Sequence, residues 1–292
     1  MTASPSNLLF IINPGSGNSN IDWKKEIETY FSALPVSIEL YDIPNPCKPE
    51  IIKQKIDSLA PAKVIAVGGD GTVKLVAGCL LNSQIPMAVL PAGSANGMAR
   101  ELRIPDDPKG ALDVVVNGSF KKIHLVKIND ELCIHLGDIG FNAFVVKKFE
   151  DENTRGMWGY IKAAWKVLRG HARMDVDIKI DDKYIRREAA MVVIANASMY
   201  GNGVVINPKG TLDDDLFEVV IIKKISLTEI FKMRFTRGEY NRDKTELLQT
   251  RSLKVKSERK VHFQVDGEYL GKINSIDAEI IPGALTVIVP GG

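Results

Sequence analysis

Hydrophobic residues recur along the chain with two periods, and the change between them divides the sequence. Leu8–Ile12 is a short apolar run, and Val36–Leu40, Val64–Val67 and Pro86–Leu90 repeat the pattern. Between these runs apolar positions open out to helical spacing over Ile21–Leu34, Glu50–Leu59 and Val73–Leu80, then over Met98–Leu102 and Asp106–Asn117. Short apolar runs read as buried strands, and a 3.6-residue period reads as amphipathic helix. Strands alternating with helices predict a doubly wound, mostly parallel α/β sheet. Beyond Phe120 a period of two appears, in Lys122–Lys127 and Val176–Ile180. Apolar runs follow at Ala189–Ile194, Phe217–Ile222, Lys254–Val255, Val261–Val265, Ile276–Ile281 and Leu285–Val289. Asn129-Asp130, Asp181-Asp182, Asn207-Pro208 and Pro282-Gly283 punctuate them. Such a series predicts a β-rich, sandwich-like second domain, interrupted by helices at Gly159–Arg169 and Leu227–Phe235. The domains are drawn as 1–120 and 121–292.

In the first domain, three strands empty into loops of small and turn-forming residues. They are Asn13-Pro14-Gly15-Ser16-Gly17-Asn18, Gly68-Gly69-Asp70-Gly71-Thr72 and Pro91-Ala92-Gly93-Ser94-Ala95-Asn96-Gly97. Alone, the first could be an ordinary surface turn, the Asp70-Gly71 pair a turn capping a helix, and the third a helix entry with Ser94 as N-cap. In open α/β sheets, however, ligands bind beyond the carboxyl ends of the strands. Glycines admit a ligand close to the backbone, and amides at a helix start favour phosphate. A carboxylate within such a loop would repel phosphate unless a divalent cation lies between them. Asp70 therefore suggests phosphate with magnesium.

The composition narrows the class. Of the 292 residues, 45% are apolar and 25% charged, as in a soluble globular protein. A formal net charge of +2 argues against a dedicated nucleic-acid binder. No apolar run approaches the roughly 20 residues that span a bilayer, and Met1–Asn7 lacks a basic leader region. Cys47, Cys79 and Cys133 suit neither a disulfide framework nor a zinc site, so a reducing cytoplasm is expected. His124, His135, His171 and His262 have no metal-ligand spacing and read as structural.

Taken in order, the motifs resemble the diacylglycerol kinase catalytic-domain family of lipid kinases, which is related to the sphingosine kinases. The matching segments are Asn13-Pro14-x-Ser16-Gly17, Gly68-Gly69-Asp70-Gly71-Thr72, Pro91-x-Gly93-Ser94-x-Asn96 with Arg100, and Gly137-x-x-Gly140-Phe141. Asn196-x-x-x-Tyr200-Gly201-x-Gly203, Leu212-Asp213-Asp214-x-Leu216 and Val265-Asp266-Gly267-Glu268 complete the set. The resemblance implies two domains with the active site in the cleft between them. It implies ATP as phosphoryl donor, with Asn13, Pro14, Ser16, Gly17, Gly68–Thr72, Gly93, Ser94 and Asn96 around the nucleotide, and Asp70 as the magnesium-organising acid. Asp266 looks like the general base at the lipid hydroxyl, with Glu268 in the same network. Asp214, with backbone oxygens near Thr211 and Leu216, looks like a second, structural magnesium site. Phosphoryl transfer asks for such parts: positioning, a cation to spread charge, and a carboxylate to orient the hydroxyl.

The chain departs from the family pattern at three places. Val73-Lys74-Leu75 stands where a hydrophobic residue and Asn-Glu are usual, which would let Lys74 touch phosphate directly or alter the nucleotide preference. Asp215 replaces a common glycine, and Ser94 a common threonine. The segment from Lys223 to Lys260 is rich in Lys and Arg with Ile225, Phe231 and Phe235 among them. Together with Met157–Trp165 it suggests peripheral docking on an anionic membrane where the lipid substrate lies. The sequence leaves a homodimer open. Two other readings stand beside the lipid kinase: a kinase of a soluble substrate, related to NAD kinases, and a non-catalytic lipid- or nucleotide-binding regulator.

Overall fold

A computed structural model of the chain describes residues 7–16, 21–151, 173–197, 199–200, 204–205, 210–224 and 244–291. The helices expected at Gly159–Arg169 and Leu227–Phe235 lie outside these residues, as do Met157–Trp165 and residues 225–243 of the basic segment. The chain forms two compact units, Met1–His124 with Gly283–Gly292, and Leu125–Pro282.

The first unit alternates β1 (Asn7–Ile12), α1 (Trp23–Phe31), β2 (Ser37–Asp42), α2 (Pro49–Leu59), β3 (Lys63–Gly68) and α3 (Asp70–Cys79). It continues with β4 (Met87–Pro91), α4 (Gly97–Glu101) and α5 (Pro108–Asn117). The strands lie β2-β1-β3-β4, all parallel. The chain leaves β1 for β2 on one side and returns to β3 on the other. That reversal makes the carboxyl ends of β1 and β3 a topological switch point. Leu9, Phe10, Ile11, Ile65 and Leu90 are buried across this sheet. The helix expected from Asp106 begins at Pro108, because the Asp107 carboxylate accepts the Gly110 amide at 2.7 Å and stays outside as the cap.

The second unit is β-rich, as its period-two patterning predicts. Ser119–Ile128 (β5), whose residues up to His124 belong to the first unit, leads into β6 (Glu131–Cys133), β7 (Leu136–Gly140) and α6 (Phe141–Asp151). After these come β8 (Met174–Ile180), β9 (Lys183–Ala189), β10 (Met191–Ala195), β11 (Met199–Tyr200), β12 (Val204–Val205), β13 (Phe217–Ile222), β14 (Thr245–Thr250), β15 (Ser252–Val265) and β16 (Glu268–Val289). Antiparallel pairing runs β14-β13-β10-β7-β15-β16, with β8 on the first half of β15 and β9 beyond it. Phe217, Val219, Ile221, Val192, Ile194, Ile139 and Phe263 fill its core.

Two features differ from the sequence reading. The runs at Lys254–Val255 and Val261–Val265 belong to one strand, because Leu253, Val255 and Ser257 point inward while lysines and glutamate occupy the outer face. A polar Ser257 at a core-facing position reads as a break, although the ladder continues through a register shift. Likewise Ile276–Ile281 and Leu285–Val289 are one strand, in which Gly283 takes a positive φ of 53°. The final stretch of that strand belongs to the first unit, where Val287 pairs parallel with Met87 of β4.

This return has a consequence for stability. Leu285, Val287 and Ile288 are buried, and each buried aliphatic side chain contributes about 1.5–3 kcal/mol. Their combined loss approaches the roughly 5–15 kcal/mol typical of whole domains. A chain ending at Pro282 is expected to expose the first unit to limited proteolysis while peptides from 174–197 stay protected. Equal protection of the two units would contradict this topology.

Candidate active site

The loops after β1, β3 and β4 meet, as the strand order requires. The Asn13 amide donates to the Val67 carbonyl at 3.0 Å, and the Ala92 amide to the Gly68 carbonyl at 3.1 Å. The second and third loops touch backbone to backbone. A Cβ on Gly93 would stand 2.4 Å from the Gly69 Cα, and one on Gly68 would stand 2.3 Å from the Thr72 Oγ1. No side chain fits between these strands' ends, which is why glycine occupies them. A Cβ on Gly71, by contrast, would meet nothing within 4 Å. That glycine faces open space over the start of α3.

Several residues expected around a nucleotide brace the loops instead of pointing outward. Asn13 donates through Nδ2 to the Thr72 Oγ1 at 3.1 Å and accepts the Gly15 amide at 3.0 Å. Ser16 donates its hydroxyl to the Asn13 carbonyl at 2.7 Å. Asn96, left-handed at φ 50°, grips Gly93 twice, accepting its amide at 2.8 Å and donating to its carbonyl at 2.9 Å. Asp70 accepts the Gly97 amide at 3.0 Å and the Met98 amide at 2.9 Å. Its carboxylate thus closes the start of α4 and locks the second loop to the third. The N-cap of α3 is Gly69, which has no side chain to close the helix end. Backbone amides at a helix start of this kind are the groups that suit an anion. Ser94 and Gly71 are exposed at this rim and Lys74 is half-buried one turn on. Gly17 lies outside the described residues.

The second group of expected residues sits on the hairpin joining β15 to β16. Val265 pairs with Glu268, leaving Asp266 and Gly267 as a two-residue turn with φ of 51° and 86°. Two successive positive φ values make the type I′ turn that suits a twisted hairpin. The Asp266 carboxylate accepts the amides of Ile134 at 3.1 Å, His135 at 2.9 Å and Leu136 at 3.2 Å. The Cys133 thiol lies 3.7 Å from the same carboxylate. Asn196, fully buried, holds that strand entry in place by donating to the Ile134 carbonyl at 3.0 Å. Two carboxylate oxygens carry about four lone-pair sites. The three amides and the thiol together come to about that number and fix the carboxylate in place. Glu268 is exposed at the start of β16.

One acid escapes the sequence reading. Asp138, in the Gly137-x-x-Gly140-Phe141 motif, is fully buried. It accepts hydrogen bonds from the Asn142 side chain, the Gln264 side chain and, at 2.8 Å, the Ala143 amide. Burial pushes its carboxyl up to about 6, against the three donors, which pull it down. A carboxylate inside the apolar run Ile134–Phe141 is the available signal. The same motif also opens α6, which the sequence reading omits. Gly140 turns the chain at φ 102°, where a Cβ would strike the Ala190 carbonyl at 2.5 Å.

The acidic turn at Asp213–Asp215 lies apart from both groups in sequence. Asp214 is exposed, and its Oδ1 accepts the Leu216 amide at 3.1 Å. Asp215 is left-handed at φ 57°, which Asp tolerates and glycine favours. Thr211 is exposed and Leu216 half-buried beside it. This donor set suits a magnesium that keeps most of its waters and takes one carboxylate. Among the described residues no three His, Cys, Asp or Glu side chains gather as a metal cluster.

Comparison with known proteins gives the family. The diacylglycerol kinase catalytic domain matches residues 7–128, and the YegS C-terminal NAD kinase beta sandwich-like domain matches 138–289. The chain belongs to the diacylglycerol kinase catalytic-domain family. A diacylglycerol kinase of Staphylococcus epidermidis is 29% identical over 217 residues, covering 72% of this chain and 69% of its own. A crystal structure of a diacylglycerol kinase from Bacillus anthracis has the same fold, with a TM-score of 0.75 at 19% identity over 97% of both chains. An ATP-bound NAD kinase from Archaeoglobus fulgidus is a more distant likeness in fold, with a TM-score of 0.55 at 14% identity over 96% of this chain and 93% of that one. The diacylglycerol kinase family is one of phosphotransferases. No helix among the described residues is long and apolar enough to cross a membrane.

The buried acid of the second domain predicts a pH effect with a definite sign. Its folded affinity for a proton exceeds the unfolded one, so between about pH 4 and about pH 6 the folded state holds a proton that the unfolded state releases, while above that range both are ionised. Stability is therefore greatest below about pH 4 on this account and falls as pH rises through about 6, by about 3 kcal/mol. Denaturant melts of wild type and Asp138→Asn from pH 4 to 7.5 check it. The difference between them should vary with pH in this window and level off above it; parallel curves would refute a titrating Asp138.

Proposed function

We propose that the chain is an ATP- and magnesium-dependent lipid kinase that phosphorylates the hydroxyl of a lipid such as diacylglycerol. The observation that carries the reading is the meeting of three small-residue loops over the glycine-capped start of α3. The family match and the relatives named diacylglycerol kinase support the choice of acceptor.

In this reading the loop amides at Asp70 and Gly71 bind nucleotide phosphates, with Ser94 and Lys74 at the rim. Asp70 would hold magnesium through lone pairs beyond those that accept the Gly97 and Met98 amides, and Asp214 would hold a second, structural ion. Magnesium, when bound, spreads the charge that develops on the phosphates. Asp266 aligns the acceptor hydroxyl and takes its proton as the lipid oxygen bonds the γ-phosphorus. The bond from that phosphorus to the β-phosphate oxygen breaks, and ADP leaves. Fixed by three amides, Asp266 works first as an orienting group, which is where most of the gain lies in a loose phosphoryl transfer.

A second reading has one specific observation behind it: the second domain's likeness to NAD kinases, in which the acceptor is a soluble dinucleotide. A panel of diacylglycerol, sphingosine, ceramide, phosphatidylglycerol and NAD, each with ATP and magnesium, separates the readings. Diacylglycerol turnover is expected; turnover of NAD alone would replace the lipid reading, and nucleotide binding without turnover would favour a regulator. Asp266→Asn should keep nucleotide affinity and lose about 10²–10⁴-fold in turnover. Asp70→Asn should lower both, because it loosens two loops as well as the cation.

The lipid would be met at an anionic surface by peripheral contact, through the basic stretch that begins at Lys223. Binding to vesicles containing phosphatidylglycerol is expected to weaken between about 0.05 and 0.5 M salt, since exposed charges are screened over about 10 Å at 0.1 M. Binding indifferent to salt would exclude electrostatic docking.

A further inference from the structure

The Asp266–Gly267 turn has a second support beneath it, and its chemistry is directional. The Gln264 side chain donates through Nε2 to Asp138 Oδ2 and accepts the Gly267 amide on Oε1 at 2.8 Å. Asp138 Oδ2 also accepts from Asn142 Nδ2, and Oδ1 accepts the Ala143 amide. Asp138, Gln264 and Val265 are fully buried, and Asn142 nearly so. Gln264 faces Asp138 across the β15–β7 ladder, and Val265 faces Gly137. A Cβ on Gly137 would come within 3.2 Å of the Gln264 carbonyl and 2.6 Å of the Ile128 Cδ1. Glycine there lets the two strands approach closely.

We infer that Asp138 is a positioning residue: as an ionised carboxylate it sets the orientation of the Gln264 amide, and through it fixes the turn that carries Asp266 and Glu268. The argument is one of donors and acceptors. Three N–H donors converge on Asp138, so both of its oxygens must accept. That arrangement turns the Gln264 amide nitrogen toward Asp138 and its oxygen toward Gly267. Rotating the Gln264 amide by half a turn would set its oxygen against the carboxylate and its NH₂ against the Gly267 N–H. In a dry interior each mismatch leaves a buried polar group unbonded. The hairpin's type I′ geometry is thereby tied to a charge on the neighbouring strand beneath it. Nothing in the turn's own sequence supplies that tie.

Asp138→Asn is isosteric and tests the claim. Whichever way the introduced amide turns, its NH₂ meets an incoming N–H. An exchange of charge restores the match. When Asp138→Asn is combined with Gln264→Glu, the amide at position 138 accepts the Ala143 N–H and donates to the carboxylate at position 264 and to a flipped Asn142. That carboxylate accepts in turn from position 138 and from the Gly267 amide. A variant that merely repaired packing would have no reason to recover only in this pairing.

The catalytic consequence rests on the reading of Asp266 as the group at the acceptor hydroxyl, so two readouts are used on the full chain. The first is hydrogen exchange of the Gly267 amide by NMR. The second is kcat and KM for ATP with diacylglycerol. Asp138→Asn is expected to lower Gly267 protection at least about ten-fold and kcat by about 10–100-fold, as misplacement of a reacting group does, with KM for ATP unchanged. The double variant should recover most of both. If protection falls and returns but wild type phosphorylates no lipid, Asp138 still orients the turn and the lipid kinase reading fails. If Asp138→Asn is folded with wild-type Gly267 protection, the inference is overturned. Should the single variant not fold, recovery of the fold in the double variant supports the exchange, and failure of both overturns it.

Discussion

Peptide N–H groups left over at the ends of strands and helices are the constraint on which the two candidate groups depend. A buried N–H without an acceptor costs about 1–3 kcal/mol, and such groups collect where strands give way to turns. At Ile134–Leu136 three of them converge, and the Asp266 carboxylate answers all three. At the start of α4 two converge, and Asp70 answers both. The same bonds that satisfy the backbone hold an acid in a fixed place. Asp266 does so from a left-handed conformation, which disfavours a side chain by about 1–2 kcal/mol. Hydrogen bonds to a charged acceptor are worth about 1.5–3 kcal/mol each, so three of them outweigh the strain. An asparagine would tolerate the backbone as well, but could not accept all three donors in the same way.

Glycine at the first group solves a different problem. Gly93 lies so close to the second loop that a Cβ on it would stand 2.4 Å from the Gly69 Cα, so the third loop can carry no side chain at the contact. Tight contact brings the ends of β3 and β4 together, and Asn13, Asn96 and Asp70 lock the resulting cage from within. Polar side chains that a motif search would assign to ligand binding thus also brace the cage. The backbone amides of these loops are held by the sheet that ends beneath them. Lys74 and Ser94 lie at the rim, where a substitution alters contacts without dismantling the frame.

Much of this is legible in the sequence, and the reasons are local. Apolar runs ending in Gly-rich loops mark the parallel strands of the first unit because burial on both faces demands them. Asp266-Gly267 reads as a turn because few residue pairs adopt two positive φ values. The return of Leu285–Val289 to the first unit is not legible, since a strand's pattern says that it is buried and not which neighbour buries it. Nor is the continuity of β15 through Ser257, where a polar residue at a core-facing position imitates a loop. The opening of α6 is hidden for a related reason: Phe141, Ala143, Val145 and Val146 are all buried, and a helix apolar on most sides loses its period.

Asp138 shows where reading residue by residue stops. Its isolated charge in an apolar stretch signals a partner, yet the partners lie at Asn142, one turn away, and at Gln264, far along the chain. Only the register of β7 against β15, Asp138 facing Gln264 and Gly137 facing Val265, brings them together. A one-residue slip of that register would turn Gln264 to the opposite face, leaving the carboxylate short of a donor and the Gly267 amide short of an acceptor. Hydrophobic side chains make the two strands pair. The buried polar chain then distinguishes the correct pairing from its neighbours, because polar groups in a dry interior penalise a mismatch far more sharply than apolar ones do. The acid therefore specifies the hairpin's register as well as supporting its turn, and the position of Asp266 follows from both.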